Sequence, residues 1–97
     1  MGNQGVRGLS RTSKTVRNGQ IPGSQVTVVR IMRTAGSPLF FVEMEICGFS
    51  GKSQEIGARY DIGKAIFIDH FDDQDTMYQL RRVELKVAEL IAKTFRV

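Results

Sequence analysis

The stretch Leu39-Phe40-Phe41-Val42-Glu43-Met44-Glu45-Ile46-Cys47 decides the fold. Phe40, Val42, Met44 and Ile46 are all apolar, whereas the alternate positions admit Glu43 and Glu45. Successive side chains of a strand point to opposite faces, so the alternation predicts a half-buried β-strand over Leu39 to Phe49. A strand with one buried and one wet face belongs to an antiparallel sheet covered on a single side.

Reading outward from that strand, turns and further strands follow on both flanks. Ala35-Gly36-Ser37-Pro38 is a turn, and Gln25 to Thr34 before it is β-branched and apolar. There the apolar residues Val26, Val28, Val29, Ile31 and Met32 fall on both alternation faces, as in a strand covered twice or one carrying a bulge. On the C-terminal side, Gly48 to Ser53 turns the chain into Glu55 to Ile62. Ile56, Ala58, Tyr60 and Ile62 face inward there, and Glu55, Arg59 and Asp61 outward. Gly63 breaks this run, and Lys64 to Asp69 reads as a short fourth strand with Ile66 and Ile68 on one face and Phe67 on the other.

The last quarter is helical. No Gly or Pro occurs from Asp75 onward; Asp72, Asp73 and Asp75 offer N-caps, and Thr76 with Gln79 has the spacing of a capping box. Acids at its start and Lys93 and Arg96 at its end match the helix dipole. Residues 1–24 are rich in Gly, Ser, Thr, Asn and Gln without periodicity, and Asn18-Gly19-Gln20-Ile21-Pro22-Gly23-Ser24 is dense in turn formers. The expected fold is therefore α+β. Residues 25–97 form a four-stranded antiparallel meander packed by one long C-terminal helix, preceded by a flexible basic arm, residues 1–24.

The helix carries more apolar surface than one sheet face needs. Leu80, Val83, Val87 and Leu90 define its centre, and Met77, Ala88, Ile91 and Phe95 widen the arc to about 180°, against the ~100° stripe that covers a sheet. Leu85 falls outside even that arc, and Glu84 falls inside it, where a lone carboxylate is costly. Glu84 must reach the rim or pair with Arg81 or with an arginine of a neighbouring chain. Either strand edges wrap the arc, or Met77, Glu84, Leu85, Ala88 and Phe95 meet a second subunit or a partner helix.

Charge is unevenly placed. The chain has 97 residues and a net charge of +4. Arg7, Arg11, Lys14 and Arg17 stand in residues 1–24 without a single acid, and the remainder is balanced. A basic arm on a neutral body points to an acidic partner, either nucleic acid or an acidic protein groove. On the helix, Arg82, Lys86, Lys93 and Arg96 form a basic side interrupted by Glu89. In topology alone, the order of basic tail, four strands and helix is similar to single-stranded-DNA-binding transcriptional coactivators; no motif aligns residue by residue and no site is carried over.

Motifs for chemistry are weak. The run Asp69-His70-Phe71-Asp72-Asp73-Gln74-Asp75 is rich in oxygen ligands of the kind Mg²⁺ or Ca²⁺ takes, but it lacks the glycine and terminal glutamate of an EF-hand, and helix capping accounts for its acids. His70 has no nucleophile beside it, Cys47 has no activating neighbours, and Gly51-Lys52-Ser53 lacks the upstream glycine of a phosphate loop. No catalytic residue, metal or cofactor is expected. One cysteine excludes an internal disulfide and favours a reducing, cytoplasmic setting. No apolar leader or membrane span is expected, and Val6 disfavours a myristoylation motif at Gly2.

Two readings of function follow. The first is a small non-enzymatic, oligomeric protein that touches nucleic acid through Arg7, Arg11, Lys14, Arg17, Arg82, Lys86, Lys93 and Arg96. The second is an accessory subunit, of viral or phage type, that docks by its arm and apolar helix surface onto a protein assembly.

Overall fold

The structure is a computed structural model in which residues 10–96 are described. Five strands form one antiparallel meander in the order β1-β2-β3-β4-β5: β1 Arg11–Thr15, β2 Val26–Thr34, β3 Leu39–Cys47, β4 Ser53–Asp61 and β5 Ile66–Phe67. Helix α1, Gln74–Phe95, crosses one face of the sheet. The architecture is the expected α+β meander with a C-terminal helix, with two differences at its edges.

The first difference is β1. The arm was expected to lack regular structure, yet Arg11–Thr15 pairs along β2, with Arg11 opposite Thr34 and Thr15 opposite Arg30. All five of its residues are exposed, so no burial pattern betrays the strand in the sequence; it is held by ladder hydrogen bonds. Arg7 and the rest of residues 1–9 lie outside the described residues. The second difference is β5, expected over Lys64 to Asp69 but only two residues long. Asp61 Oδ1 accepts the N–H groups of Gly63 and Lys64, and Ala65 takes a left-handed φ of 58°, so the turn uses up the start of the expected strand.

The core is formed by the inner sheet face and one helix stripe. Phe40, Val42, Met44 and Ile46 of β3, Ala58 and Tyr60 of β4, and Leu80, Val83, Val87 and Ile91 of α1 are all buried. The Val, Leu, Ile, Phe and Met side chains among them each contribute about 1.5–3 kcal/mol on removal from water. In β2 the apolar residues on both faces come from a bulge between Val28 and Arg30. Val26 and Val28 face the core before it, and Ile31 after it.

The start of the helix is tied by the acidic run. Asp73 is the N-cap residue, and its carboxylate accepts the Thr76 hydroxyl at 2.7 Å, which holds it below the usual carboxylate range. Gln79 does not complete a capping box; its amide donates to Asp75 at 3.5 Å. Asp75 also accepts the Phe49 N–H at 3.0 Å, fastening the β3–β4 turn to the helix start. Asp69 accepts Arg59 Nη2 at 2.6 Å, Arg59 Nε at 2.9 Å and the Arg59 backbone N–H at 2.7 Å, closing the β5 edge over β4. The Arg59 guanidinium lowers the Asp69 carboxyl, so its contribution to stability is present near neutrality and fades as pH falls through its lowered value. Asp69→Asn should therefore cost stability near pH 7. In urea titrations at stepped pH, the gap from the parent should close in acid, below the ordinary carboxylate range near ~4.

Candidate nucleic-acid interface

The chain between β1 and β2 positions the arm's cations. After Thr15, Val16 N–H donates to Val29 O at 2.9 Å, Val28 N–H donates to Gly19 O at 2.8 Å, and Gln20 bridges Thr27. Ile21 is buried in the core, with its N–H on Val26 O at 2.8 Å. The arm segment is thus docked at Gly19 and Ile21, and β1 lies along the sheet edge with a fixed register.

That register points Lys14 to the helix side, since its partner is the buried Ile31. Lys14 Nζ stands 3.5 Å from the carbonyl oxygen of Thr94 and 5.3 Å from the centroid of the Phe95 ring. A cation at these last carbonyls is favoured by the helix dipole. Arg33 reaches the same place: its guanidinium lies 5.5 Å from the Phe40 ring and 5.9 Å from the Phe95 ring. Phe95 packs edge-on against Phe40 with centroids 5.3 Å apart. Arg96, in the left-handed region, caps the helix through its N–H to Ala92 O.

The cationic surface continues along the helix. Lys86 Nζ donates to Pro22 O at 3.2 Å, and Lys93 lies across a cleft of about 350 Å³ from Asn18, Gly19 and Gln20, with Glu89 as the cleft's carboxylate. Arg17 is exposed on the turn that forms the cleft's other wall. Arg11, exposed on β1, shares a surface depression with Arg33. Lys14, Lys86 and Lys93 thus lie on the side where β1 and its turn meet the C-terminal half of α1, with Arg17 on that turn, Arg96 at the helix end and Arg11 at the edge. Arg82 does not join them; its guanidinium lies 5.7 Å from the Tyr78 ring, toward the helix start.

Arg33 is the site residue that sequence reasoning missed. Plain alternation assigns it to the outer sheet face, across from the glutamates. The bulge at Val29 reverses the parity of β2 and turns Arg33 toward the helix end. The only signal for this was the apolar pattern on both faces of β2.

The expected interface residues of α1 are mostly engaged within the chain. Ala88 and Phe95 pack against the core, and the Met77 sulfur accepts the Phe71 N–H at 3.2 Å. Glu84 pairs with Arg81, accepts the Phe67 N–H at 2.9 Å, and lends its carbonyl to the Tyr60 hydroxyl at 2.6 Å. Burial beside Glu84 pushes the Tyr60 hydroxyl up to about 12. Leu85 stands free at 72% exposure. Phe49, the last residue of the strand expected over Leu39 to Phe49, lies instead in the β3–β4 turn, 6.2 Å from Tyr78.

Among the described residues no group of three or more His, Cys, Asp or Glu side chains is placed to hold a metal ion, and no helix is long and apolar enough to cross a membrane. Comparison with protein families, with curated proteins and with solved structures finds no match.

Proposed function

We propose that this protein is a non-enzymatic nucleic-acid-binding protein whose contact surface is the β1 edge together with the C-terminal half of α1. The observation that carries the reading is the reach of Lys14 to the Thr94 carbonyl and the Phe95 ring, which joins the arm's cations to those of the helix. Arg11, Lys14, Arg17, Arg33, Lys86, Lys93 and Arg96 then act as one field in which Glu89 is the opposing charge. Such a field neutralises phosphates and releases counterions, with little reading of base edges. The single free Cys47 favours a reducing, cytoplasmic location for this activity.

The test is a fluorescence-anisotropy titration of labelled single- and double-stranded oligonucleotides at low salt. Binding is expected, and the double variant Arg17→Glu/Lys93→Glu should weaken it by at least about tenfold. Lys52→Glu/Lys64→Glu, on the turns flanking β4, should leave it unchanged. No binding to any DNA or RNA at low salt overturns the reading.

A second reading, an accessory subunit of a protein assembly, has its own support. Leu85 at 72%, Phe49 at 76% and Tyr78 at 52% exposure place apolar and aromatic surface beside Arg82, a composition common at protein interfaces. On that reading Leu85→Arg, not Lys93→Glu, removes the association.

A further inference from the structure

The helix covers one face of the sheet, and among the described residues no element covers the other. The ladder arranges that outer face in cross-strand rows. Thr15, Arg30, Glu43 and Gly57 form the middle row; Ser13, Met32, Phe41 and Arg59 lie on one side of it, and Thr27, Glu45 and Glu55 on the other. Apolar surface lies on either side of the charged pair in the middle row. The Phe41 ring lies over Gly57, where a Cβ would fall 2.3 Å from its Cζ, and Phe41 is still 38% exposed, with Val29 at 45%.

Charge on this face is polarised along the strands. One side of Phe41 holds a depression of about 570 Å³ lined by Val29, Glu43, Glu45 and Glu55; Glu45 and Glu55 are direct cross-strand partners, a like-charge pair that is unfavourable in isolation. The other side holds one of about 500 Å³ lined by Arg11, Met32, Leu39 and Arg59. The Arg59 side chain remains 57% exposed although Asp69 pairs with it. Asp61 at that end is engaged by the turn N–H groups, and Arg30 and Glu43 in the middle row are 3.6 Å apart.

We infer that the outer sheet face is a self-association surface, occupied by a second copy of this chain about a twofold axis that runs across the strands. Two sheets stacked face to face keep their strands roughly aligned. A twofold along the strands would stack acidic end on acidic end. A twofold across the strands, through the Arg30–Glu43–Gly57 row, lays Arg59 of each copy over Glu55 of the other, Met32 over the Val29 region and Phe41 over Glu45, while Arg30 and Glu43, already paired with each other, meet the same pair of the second copy. Charge complementarity thus selects one of the two aligned arrangements, and it relieves the Glu45–Glu55 repulsion. The strand dimensions give a patch of roughly 600 Å² per copy. This is the lower end of specific interfaces, so a dimer with a Kd in the micromolar range is expected. Arg11, which lines the outer-face depression, is shared with the proposed nucleic-acid surface; Lys14, Lys86 and Lys93 lie on the helix side and remain open in such a dimer, so the inference does not depend on nucleic-acid binding.

Sedimentation velocity on the full chain without nucleic acid, from about 10 μM to about 1 mM, reads the outcome. A concentration-dependent dimer is expected, weaker as salt rises. Glu55→Arg, at an exposed position, should make the chain monomeric at concentrations where the parent dimerises, a loss of affinity of at least about tenfold. A circular dichroism spectrum and melting curve matching the parent would show that the variant is folded. A parent chain that stays monomeric up to the highest concentration overturns the inference. So does a dimer that survives Glu55→Arg, or one that Leu85→Arg breaks and Glu55→Arg does not, which would put the contact on the helix.

Discussion

Gly19→Ala should lower the melting temperature by roughly 15 °C and weaken the proposed nucleic-acid binding together with it. The Gly19 position is buried, and a Cβ built there falls 1.8 Å from the carbonyl oxygen of Val28, which is backbone in β2 and has no rotamer to yield. The Gly19 carbonyl also accepts the Val28 N–H at 2.8 Å, so relieving the overlap by shifting the strand breaks a ladder-like bond. Overpacking of this kind costs about 3 kcal/mol. In a domain of this size each kcal/mol moves the midpoint by roughly 4–8 °C. The chain's easiest escape is to lift the segment from Val16 to Ile21 off the sheet, which also releases β1. Lys14 would then leave the helix end and the turn carrying Arg17 would move with it, so the proposed affinity for oligonucleotides should fall even below the melting transition. Differential scanning calorimetry and anisotropy on the same preparation check both effects. A variant that melts like the parent would show that Val28 and Gly19 do not approach so closely.

Glu84→Ala should destabilise the fold by about 3 kcal/mol, and Glu84→Gln by about 1 kcal/mol or less. Glu84 and Arg81 between them engage both backbone groups of the buried Phe67: the Glu84 carboxylate accepts its N–H at 2.9 Å, and Arg81 Nη1 donates to its carbonyl at 3.1 Å. This pair fastens the two-residue β5 to the helix. Alanine leaves the Phe67 N–H without an acceptor, at about 1–3 kcal/mol, and strips Arg81 of its partner. Glutamine keeps an acceptor oxygen and loses only the charge toward a half-exposed arginine. Urea titrations at pH 7 give the two values. Equal losses in both variants would mean that the ion pair, not the hydrogen bond to Phe67, is what Glu84 supplies.

The legible parts of the sequence were those whose burial imposes a period. The core face of β3 and the helix stripe at Leu80, Val83 and Val87 follow from alternation and from 3.6-residue spacing, because each buries one side of its element; the fourth buried position is Ile91, whereas the spacing centres the stripe on Leu90, which is only partly buried. The strand Arg11–Thr15 left no such trace, since it buries nothing and is bound through its backbone. The bulge at Val29 was visible only as an ambiguity in β2, and Arg33 was misplaced for that reason. Glu84 stands out in the sequence as a carboxylate inside the apolar arc, and Arg81 is one of the partners within its reach. Its bond to the Phe67 N–H depends on a tertiary approach across 17 residues that no local pattern encodes. The cations of the arm and helix stand out in the sequence, but not which of them are neighbours: Arg82 lies toward the helix start. Their union needed the register that puts Lys14 beside Thr94, and that register comes from the docking at Gly19 and Ile21.

The salt dependence of oligonucleotide binding tests the joined cationic surface most directly. The logarithm of affinity against the logarithm of salt concentration should be linear, with a slope of about −3 on single strands if four or five cations engage phosphates. Neutralising Arg17 and Lys93 together, one from the arm and one from the helix, should reduce the slope by about 1.4 units, as two lost phosphate contacts require. A slope near zero would contradict the account. So would a slope that survives Arg17→Gln/Lys93→Gln intact but falls in Lys52→Gln/Lys64→Gln.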